Sequence, residues 1–452
     1  MTDVAPTAAA GLGYLRALHP QGPPLPLRVL WMDRGEVRDW RQAVDEGGEC
    51  HLVWGACAGL GPRLDRFMQV ARLRRQVPCR LLGVHGAVER PEVVVSLSRG
   101  VLDYAHTVTF RYADSPLRIL LKRFAGLLPG ALLWPGPVIA LISSRSGEPT
   151  ATPHDGDESL VLFSAERQVA FLFRQGESRP YAVRKSGDRA ALTAEAENHR
   201  RARHLLGRLV PALLPAAGSA SLTMEYIPEY TLVNLVAGAW RNRRAVFVRE
   251  ALEHVVFCLS VYRRFVQGAP PVAEPVTGAE VKALVDGLDE VPREASEREQ
   301  LKAALQGCVG SVLPRLIQHG DFCVRNVLIA GGERGRVLID WEDMQERRWP
   351  LADFVLLRLS LKEVYADLFA ADLAAMERLP ALAEGLTAME AELMDILDLD
   401  RSAMQAAQVL SLACLCRQNL GKGRQKTATA IFRELMAFVR QNLETPDARA
   451  AS

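Results

Sequence analysis

The 452-residue sequence predicts an α/β N-terminal domain followed by an α+β domain of two lobes, a small β-rich lobe and a large helical lobe. Three observations predict this order. Short apolar runs alternate with helical patterns over residues 1–145, as is typical of α/β domains. A polar stretch without apolar periodicity, 146–158, indicates a linker. Closely spaced strand-like runs over 159–230 then precede mostly helical patterns over 231–452.

In the predicted N-terminal domain, four apolar runs have the length and residue types of strands. Two helical patterns, 37–46 and 62–77, separate the first three runs. Because strands that alternate with helices usually pair in parallel, we expect a parallel sheet. The predicted strands are 26–32, 50–56, 79–85 and 91–97.

An uncharged segment, 124–144, is long enough to cross a membrane. It contains three prolines and three glycines, which would interrupt a spanning helix. We therefore interpret it as the end of a helix, a Pro-Gly turn and a buried strand at 138–142. No transmembrane span is expected.

The composition excludes several classes of protein. Hydrophobic residues make up 49% and charged residues 24%, which argues against a disordered, collagenous or coiled-coil chain. The net charge of +2 gives no reason to expect nucleic acid or an anionic membrane as a partner. Eight cysteines without a CxxC pair indicate reduced thiols in a cytoplasmic protein.

The second predicted domain begins with strands and continues with helices. Most of the chain beyond Leu232 has helical spacing, including 297–317. A Gly-rich turn joins two short strands, 326–330 and 336–340, into a hairpin. The elements predicted before Leu232 are strands at 159–165, 168–173, 180–185 and 221–227 and a helix at about 190–209.

The strongest chemical signal is the run His319-Gly320-Asp321, with Asn326 five residues later and Asp340 at the end of the following strand. Phosphoryl transfer requires a positioned acceptor hydroxyl and neutralised phosphate charge. Asp321 is suited to orient the hydroxyl and accept its proton. The oxygens of Asn326 and Asp340 are suited to Mg²⁺, and an antiparallel hairpin brings both residues to one end of the ladder.

This pattern resembles the aminoglycoside and choline kinase-like phosphotransferases, small-molecule relatives of the protein kinases. The resemblance covers about residues 155–440 and is sharpest over 317–357. It implies a protein-kinase-like fold, with 159–230 as the N-lobe and 231–452 as the C-lobe. It also implies ATP and Mg²⁺ as cofactors and a small-molecule hydroxyl as acceptor. Protein kinases usually carry Arg where Gly320 stands.

The resemblance implies roles for residues of the small lobe. Lys185, at the end of the third strand of that lobe, looks like the lysine that holds the ATP phosphates, and Arg184 points to the opposite face of the strand. Glu195 is expected to pair with that lysine because it shares the inward helical face, whereas Glu197 lies on a solvated face. A solvated strand end and a surface charge are the alternative interpretations of Lys185 and Glu195.

Further site residues follow from the same resemblance. The segment Glu225, Tyr226 and Ile227 resembles the inter-lobe segment whose backbone binds adenine, although the neighbouring Met224 has a core interpretation as well. His319 belongs to the catalytic loop and is interpreted as bracing it rather than acting as the base. Asp353 resembles a family aspartate and is expected to brace a helix N-terminus.

Two features of the predicted kinase-like domain can be interpreted in more than one way. The turn at 164–168 has no glycine, so no Gly-rich loop wraps the phosphates, and this favours a non-catalytic pseudokinase scaffold. Residues 361–400 hold ten acids, which favour a cationic acceptor or simply form a solvated helix face.

The role of the N-terminal domain stays open. The run 55–61 lies between a predicted strand and a predicted helix but does not fit the G-x-G-x-x-G pattern of dinucleotide-binding loops. The segment ending in the strand at 138–142 faintly resembles the late part of class I methyltransferases. The chain is therefore either a bifunctional enzyme that also modifies a saccharide or lipid precursor, or a kinase-like enzyme with a degenerate docking domain.

Overall fold

The computed structural model describes the chain in two compact units. The first unit combines the chain up to Thr193 with Ala212–Pro228, and the second combines Ala194–Pro211 with the chain from Glu229 onward. The described residues are 27–31, 49–54, 56, 60–76, 79–87, 90–105, 136–143, 158–164, 167–215, 221–239, 242–289, 291, 294–331 and 334–443.

The first unit is built on strands, and most of them lie where the sequence predicts them. Its elements in chain order are β1 Leu27–Trp31, β2 Glu49–Trp54, α1 Leu60–Gln76, β3 Arg80–Ala87, β4 Arg90–Ser96, α2 Arg99–Tyr104, β5 Val138–Ser143, β6 Glu158–Phe163, β7 Arg167–Phe173, β8 Ala182–Gly187, the start of α3 Arg189–Leu206, β9 Leu213–Leu214 and β10 Ser221–Glu225.

The ten strands described in this unit form one sheet in the order β1-β2-β5-β3-β4-β6-β7-β8-β10-β9. The strands of the predicted N-terminal domain and those of the predicted small lobe are therefore hydrogen-bonded neighbours. The junction is the antiparallel pair β4–β6, in which Val94 lies opposite Val161. The N–H of Ser159 also donates to Ser96 Oγ at 3.0 Å.

The expected parallel pairing of the N-terminal strands is wrong for most of the described pairs. β1 and β2 are parallel, whereas β2–β5, β3–β5 and β3–β4 are antiparallel. The helix α1 does return the chain so that β3 runs in the same direction as β2. It leaves a gap of one strand between them, and β5 fills that gap in the opposite direction.

The alternation of side chains in β2 and β5 gives the sheet two apolar faces. On one face Leu52, Trp54 and Val138 pack against α1, and on the other Val53 and Ile139 pack with neighbouring strands. The predicted helix 37–46, the linker up to residue 157 and the segment 124–135 lie outside the described residues. Within the part of the chain that the structure describes, none of the helices is long and apolar enough to span a membrane.

The second unit is mostly helical and contains two small sheets, β11-β14-β15 and β12-β13-β16. Beyond the remainder of α3, its elements are β11 Glu229–Tyr230, α4 Leu232–Gly238, α5 Arg243–Gly268, β12 Val272–Pro275, α6 Gly278–Gly287, α7 Ala295–Gly307, β13 Val312–Gln318, β14 Val327–Ala330, β15 Arg336–Leu338, β16 Gln345–Arg348, α8 Ala352–Phe369, α9 Pro380–Leu397, α10 Arg401–Gly421 and α11 Gln425–Leu443, with short 3₁₀ helices at Gly207–Leu209, Trp341–Asp343 and Leu373–Arg378.

The helix predicted over 297–317 ends early, because its last residues form β13. Gly310 has a φ of 85°, a left-handed conformation that ends the helical path. Pro314 lacks the N–H that a helix interior requires. β13 pairs instead with β12 and β16, and six of its seven residues are buried. This strand leads directly into His319.

Candidate active site

The loop between β13 and β14 carries the predicted motif, and the hairpin β14–β15 positions its two ends. Val327 lies opposite Leu338 in an antiparallel pair, and the N–H of Ile339 donates to the carbonyl of Asn326 at 3.0 Å. The hairpin therefore brings Asn326 and Asp340 to one end of the ladder, as the sequence predicts.

Asn326 orients Asp321 directly. Its Nδ2 donates to the carbonyl oxygen of Asp321 at 2.9 Å and to the Oδ2 of Asp321 at 3.0 Å. Asn326 is buried, whereas Asp321 is half-buried and reachable from solvent. The two amide protons are thus used to hold the carboxylate, and the amide oxygen is the atom of Asn326 that suits a cation.

Asp353 holds the start of the loop from α8. Its Oδ2 accepts the N–H of His319 at 2.6 Å and its Oδ1 accepts the N–H of Gly320 at 2.8 Å. Burial raises the pKa of the Asp353 carboxyl above its ordinary value, and His319, the charge of Arg348 and the two N–H donors oppose this shift. Asp353 lies in the first turn of α8, but its carboxylate braces the catalytic loop rather than the helix N-terminus that we expected.

His319 is fully buried, and both of its ring nitrogens have backbone partners. Nδ1 accepts the N–H of Asp321 at 3.2 Å, and Nε2 lies 2.9 Å from the carbonyl oxygen of Ile339. These partners assign the neutral tautomer with the proton on Nε2. The ring also meets Trp341 edge-on at 4.5 Å between centroids. This arrangement favours the bracing interpretation over a role as base.

Gly320 adopts a φ of 87°, which favours glycine. A Cβ at this position would overlap the carbonyl oxygen of Asp343 and lie 2.7 Å from Arg348 Nη1. Arg348 is buried, and its Nη2 donates to Gln418. Sequence reasoning missed Arg348, because no local pattern places a side chain of β16 beside this loop.

Three carboxylates of the second unit lie together. Glu195 of α3, Asp340 and Glu342 each offer an oxygen, and these oxygens lie within 4.8 Å of one another. Glu195 is 1% exposed, whereas Glu197 on the same helix is exposed, as predicted. Carboxylate oxygens are the donors that Mg²⁺ prefers, so this donor set fits the metal expected from the sequence.

Local geometry explains how the carboxylates reach this place. Asp340 has φ 70° and ψ 70°, a left-handed conformation that is rare outside glycine. It turns the chain into the 3₁₀ helix that carries Glu342. Asn198 Nδ2 donates to the carbonyl of Trp341 at 3.1 Å and so ties α3 to that turn. The sequence did not single out Glu342 as a ligand, although it stands two residues after Asp340.

In the first unit, Lys185 lies on β8 between two partner strands. It pairs with Val169 of β7 and Leu222 of β10, and it is half-buried. Arg184 pairs with Ala170 and therefore points to the other face of the sheet. The sheet thus separates the two basic side chains as the sequence predicts.

The predicted adenine segment lies at the end of β10. The N–H of Glu225 donates to Ala212 at 2.9 Å and the N–H of Tyr226 donates to Tyr181 at 3.1 Å. These two donors are thus engaged within the unit. Ile227 is buried, and Met224 is 5% exposed, in agreement with its core interpretation.

The turn between β6 and β7 is short and hydrogen-bonded. Ser164 N–H donates to the Arg167 carbonyl at 2.8 Å, and Arg167 N–H donates to Ser164 Oγ at 3.1 Å. A turn of this size offers no long loop that could cover phosphates.

The acids of residues 361–400 have several structural partners. Arg358 donates to Glu377 at 2.7 Å and to Glu390 at 2.8 Å, and the buried Lys362 lies 2.9 Å from Glu377. These contacts favour the structural interpretation for that part of the set. For Glu363, the relevant neighbour is Arg325 of the catalytic loop. Burial raises the pKa of the Glu363 carboxyl, and the charge of Arg325 opposes this shift.

Comparison with known proteins shows which family and which solved structures this chain is similar to. The model of a phosphotransferase enzyme family matches residues 162–384, and a comparison with curated proteins found no match. Similar solved structures include a glucosamine kinase, at 16% identity and a TM-score of 0.34 over 66% of this chain and 77% of that chain. A macrolide 2'-phosphotransferase from Brachybacterium faecium has 18% identity and a TM-score of 0.34, over 60% of this chain and 90% of that one. A choline kinase from Cryptosporidium parvum has 10% identity and a TM-score of 0.32, over 65% and 92%.

Proposed function

We propose that the protein moves the γ-phosphate of ATP to a hydroxyl of a small molecule, because the model of the phosphotransferase enzyme family matches residues 162–384. The acceptor classes that fit are an amino-sugar, a sugar or an amino-alcohol. The observation that carries the proposal is the hold of Asn326 on Asp321, through hydrogen bonds of 2.9 and 3.0 Å. It leaves a half-buried carboxylate oriented by a buried amide.

In the proposed reaction Asp321 accepts the proton of the acceptor hydroxyl and orients its oxygen toward the phosphorus. The loop that carries Asp321 is fixed in two places. Asp353 holds the N–H groups of His319 and Gly320, and His319 Nδ1 holds the N–H of Asp321 itself. Positioning of this kind supplies much of the rate in phosphoryl transfer, because a displaced base loses alignment with the hydroxyl.

Asn326 and Asp340 are the residues proposed to hold Mg²⁺, and Glu195 and Glu342 lie close enough to Asp340 to add ligand oxygens. A bound Mg²⁺ would neutralise charge on the triphosphate. Burial of Glu195 keeps water away from one side of this group, which strengthens the attraction of its carboxylate for a cation.

For the nucleotide, we propose that Lys185 binds the ATP phosphates and that Glu195 steadies this lysine. We also propose that the backbone of Glu225, Tyr226 and Ile227 binds adenine, through groups other than the two N–H donors engaged with Ala212 and Tyr181. Support comes from the burial of Glu195 and from the placement of Lys185 in mid-sheet.

For the acceptor, we consider Glu363 among the acids of residues 361–400, because it interacts electrostatically with Arg325 of the catalytic loop. Burial raises the pKa of the Glu363 carboxyl, and the charge of Arg325, which belongs to that loop, opposes this shift. Glu363 is exposed, so a cationic group of an acceptor can reach its carboxylate. Glu363 is therefore proposed to favour an acceptor that carries an amine.

The short, glycine-free turn at Ser164–Arg167 favours a second candidate, a nucleotide-binding scaffold without transfer activity. The two candidates share ATP binding and differ in turnover. The arrangement of Asp321 and Asn326 supports the enzyme, because a scaffold has no need of an oriented base.

Two measurements test the proposal. Thermal unfolding of the wild type with Mg-ATP at about 100 times its Kd should show a stabilisation of roughly 2.7 kcal/mol, and Asp340→Asn should lose it. Single-turnover transfer from γ-labelled ATP to a panel of amino-sugars, sugars and amino-alcohols should give product with the wild type but not with Asp321→Ala. Binding without transfer to any acceptor would support the scaffold, and absence of binding would overturn the proposal.

A further inference from the structure

Four rings from three parts of the first unit form a cluster, which we call the aromatic cluster: Tyr104, Phe171, Phe173 and Tyr226. Tyr104 is central, with ring centroids 5.6 Å from Phe171, 5.2 Å from Phe173 and 5.9 Å from Tyr226. Phe171 and Tyr226 lie 6.4 Å apart, in a T-shaped arrangement. Tyr104 comes from α2, which belongs to the part of the chain that the sequence assigned to a separate N-terminal domain.

The aromatic cluster lies on the same face of the sheet as Lys185. Lys185 pairs with Val169, and Phe171 and Phe173 follow Val169 at intervals of two residues on β7. Residues two apart on a strand share a face. Phe171 also pairs with Val183, which precedes Lys185 by two residues. Tyr104 therefore packs on the face that presents the proposed phosphate-binding lysine.

The helix α2 is fixed in position at both ends. At its first turn, a Cβ on Gly100 would overlap the carbonyl oxygen of Glu177 in the β7–β8 connection. At its last residue, Tyr104 is only 5% exposed and lies against Phe173, which is fully buried. Because β4 pairs with β6, the strand that leads into α2 is part of the same sheet. The helix thus approaches the β7–β8 connection closely at its first turn and packs on β7 through Tyr104 at its last residue.

We propose that Tyr104 is a positioning residue for the nucleotide base. Its ring fixes the side chain of Tyr226, whose backbone N–H is donated to Tyr181, and so fixes the segment proposed to bind adenine. This inference rests on the proposed function. If Tyr104 has this role, the N-terminal region contributes to the binding site of the base. Discrimination between adenine and guanine nucleotides then depends on residues outside 162–384.

The experiment compares Tyr104→Leu, which keeps apolar bulk, with Tyr104→Phe, which keeps the ring. Leu73→Ala is the control, because Leu73 is buried in a separate cluster of the same unit with Leu52 and Trp54. Dissociation constants of Mg-ATP, Mg-GTP and Mg-tripolyphosphate are measured by calorimetry on the full chain, together with the unfolding temperature.

Tyr104→Leu should weaken Mg-ATP binding and lower the ATP-to-GTP preference by about tenfold, the effect of losing well-oriented aromatic pairs. Its affinity for Mg-tripolyphosphate, which has no base, should stay unchanged. Tyr104→Phe should stay within about twofold of the wild type. Leu73→Ala should lower the unfolding temperature and keep the preference.

An unchanged preference in Tyr104→Leu, with nucleotide bound normally by the wild type, would overturn the inference and leave the proposed function intact. Equal weakening of ATP and tripolyphosphate would also overturn it, since the effect would then not concern the base. Absence of nucleotide binding by the wild type would instead overturn the proposed function, and this inference with it.

Discussion

The guanidinium of Arg348 lies where a side chain on residue 320 would have to go. A Cβ on Gly320 would be 2.7 Å from Arg348 Nη1. Arg348 belongs to β16, and the glycine leaves room for its guanidinium. The absence of a side chain at residue 320 therefore allows the buried position of Arg348.

Replacing Gly320 by alanine should destabilise the protein and abolish phosphotransfer. The change imposes a φ of 87° on a residue with a Cβ and forces Arg348 or Asp343 to move, which together cost about 2–4 kcal/mol. Urea unfolding and a transfer assay measure the two effects. Gly310→Ala is the matched control: its φ is 85°, but nothing lies within 4 Å of the new Cβ. It should cost only about 1 kcal/mol and retain activity. Equal behaviour of the two variants would show that strain alone matters.

Asp353→Asn should lower the turnover number more than it changes the KM for either substrate. The carboxylate accepts two backbone N–H groups, and an amide offers one acceptor oxygen and an NH₂ that opposes the second N–H. The loss should be about 1–3 kcal/mol, seen as a lower midpoint of denaturation and a slower transfer step. Wild-type turnover with an unchanged midpoint would contradict the proposed brace.

Glu195→Gln should weaken the Mg²⁺-dependent rise in unfolding temperature, because it removes one charge from the group formed with Asp340 and Glu342. Glu197→Gln removes the same charge from an exposed position on the same helix and should leave the Mg²⁺ response as in the wild type. A Mg²⁺ titration followed by thermal unfolding distinguishes them. If both variants respond like the wild type, Glu195 does not serve the metal.

Stability should fall between about pH 6.5 and pH 4 because of His254. Burial, and then the charge of Arg336, lower the pKa of this histidine from 6.5 to about 4. The unfolded state therefore binds the proton more readily, so stability is fully present above pH 6.5 and is lost as the pH falls toward 4. The pKa difference corresponds to about 3 kcal/mol.

Chemical denaturation at a series of pH values measures this dependence. His254→Gln should flatten the profile over that interval even if it lowers stability at pH 7. His204→Gln, which removes an exposed histidine, is the control and should keep the wild-type profile. A wild-type slope in His254→Gln would assign the effect to other groups.

Local patterns predicted most strands of the first unit, because alternation within a segment reports which residues face a core. They could not predict the partner of each strand. The alternation in β2 is the same whether its neighbour is parallel β3 or antiparallel β5, and only contacts distant in sequence decide this. The error at β13 has a similar origin: its apolar run suits a helix until pairing with β12 and β16 is known.

In the candidate site, too, some residues could be predicted from the sequence and others could not. The sequence predicted the catalytic loop with His319, Asp321 and Asn326, and the hairpin that leads to Asp340. Both lie within about 20 residues of sequence, so local spacing was enough to predict them. The burial of Glu195 followed from helical periodicity. The position of Arg348 could not be predicted, because its approach to Gly320 depends on how β16 packs. Tyr104 was missed for the same reason, since a single tyrosine in a short helix carries no local signal.

The insertion of β5 between β2 and β3 has a consequence for synthesis on the ribosome. Both β2 and β3 pair with β5, which follows β3 by roughly 50 residues. At a synthesis rate of about 5–20 residues per second, β5 is made a few seconds after β3. During that interval two strand edges have unpaired backbone groups and can pair with another chain. Slowed translation before Val138, or a shortage of chaperones, should therefore send more of this protein into aggregates than a loss of folded-state stability alone would.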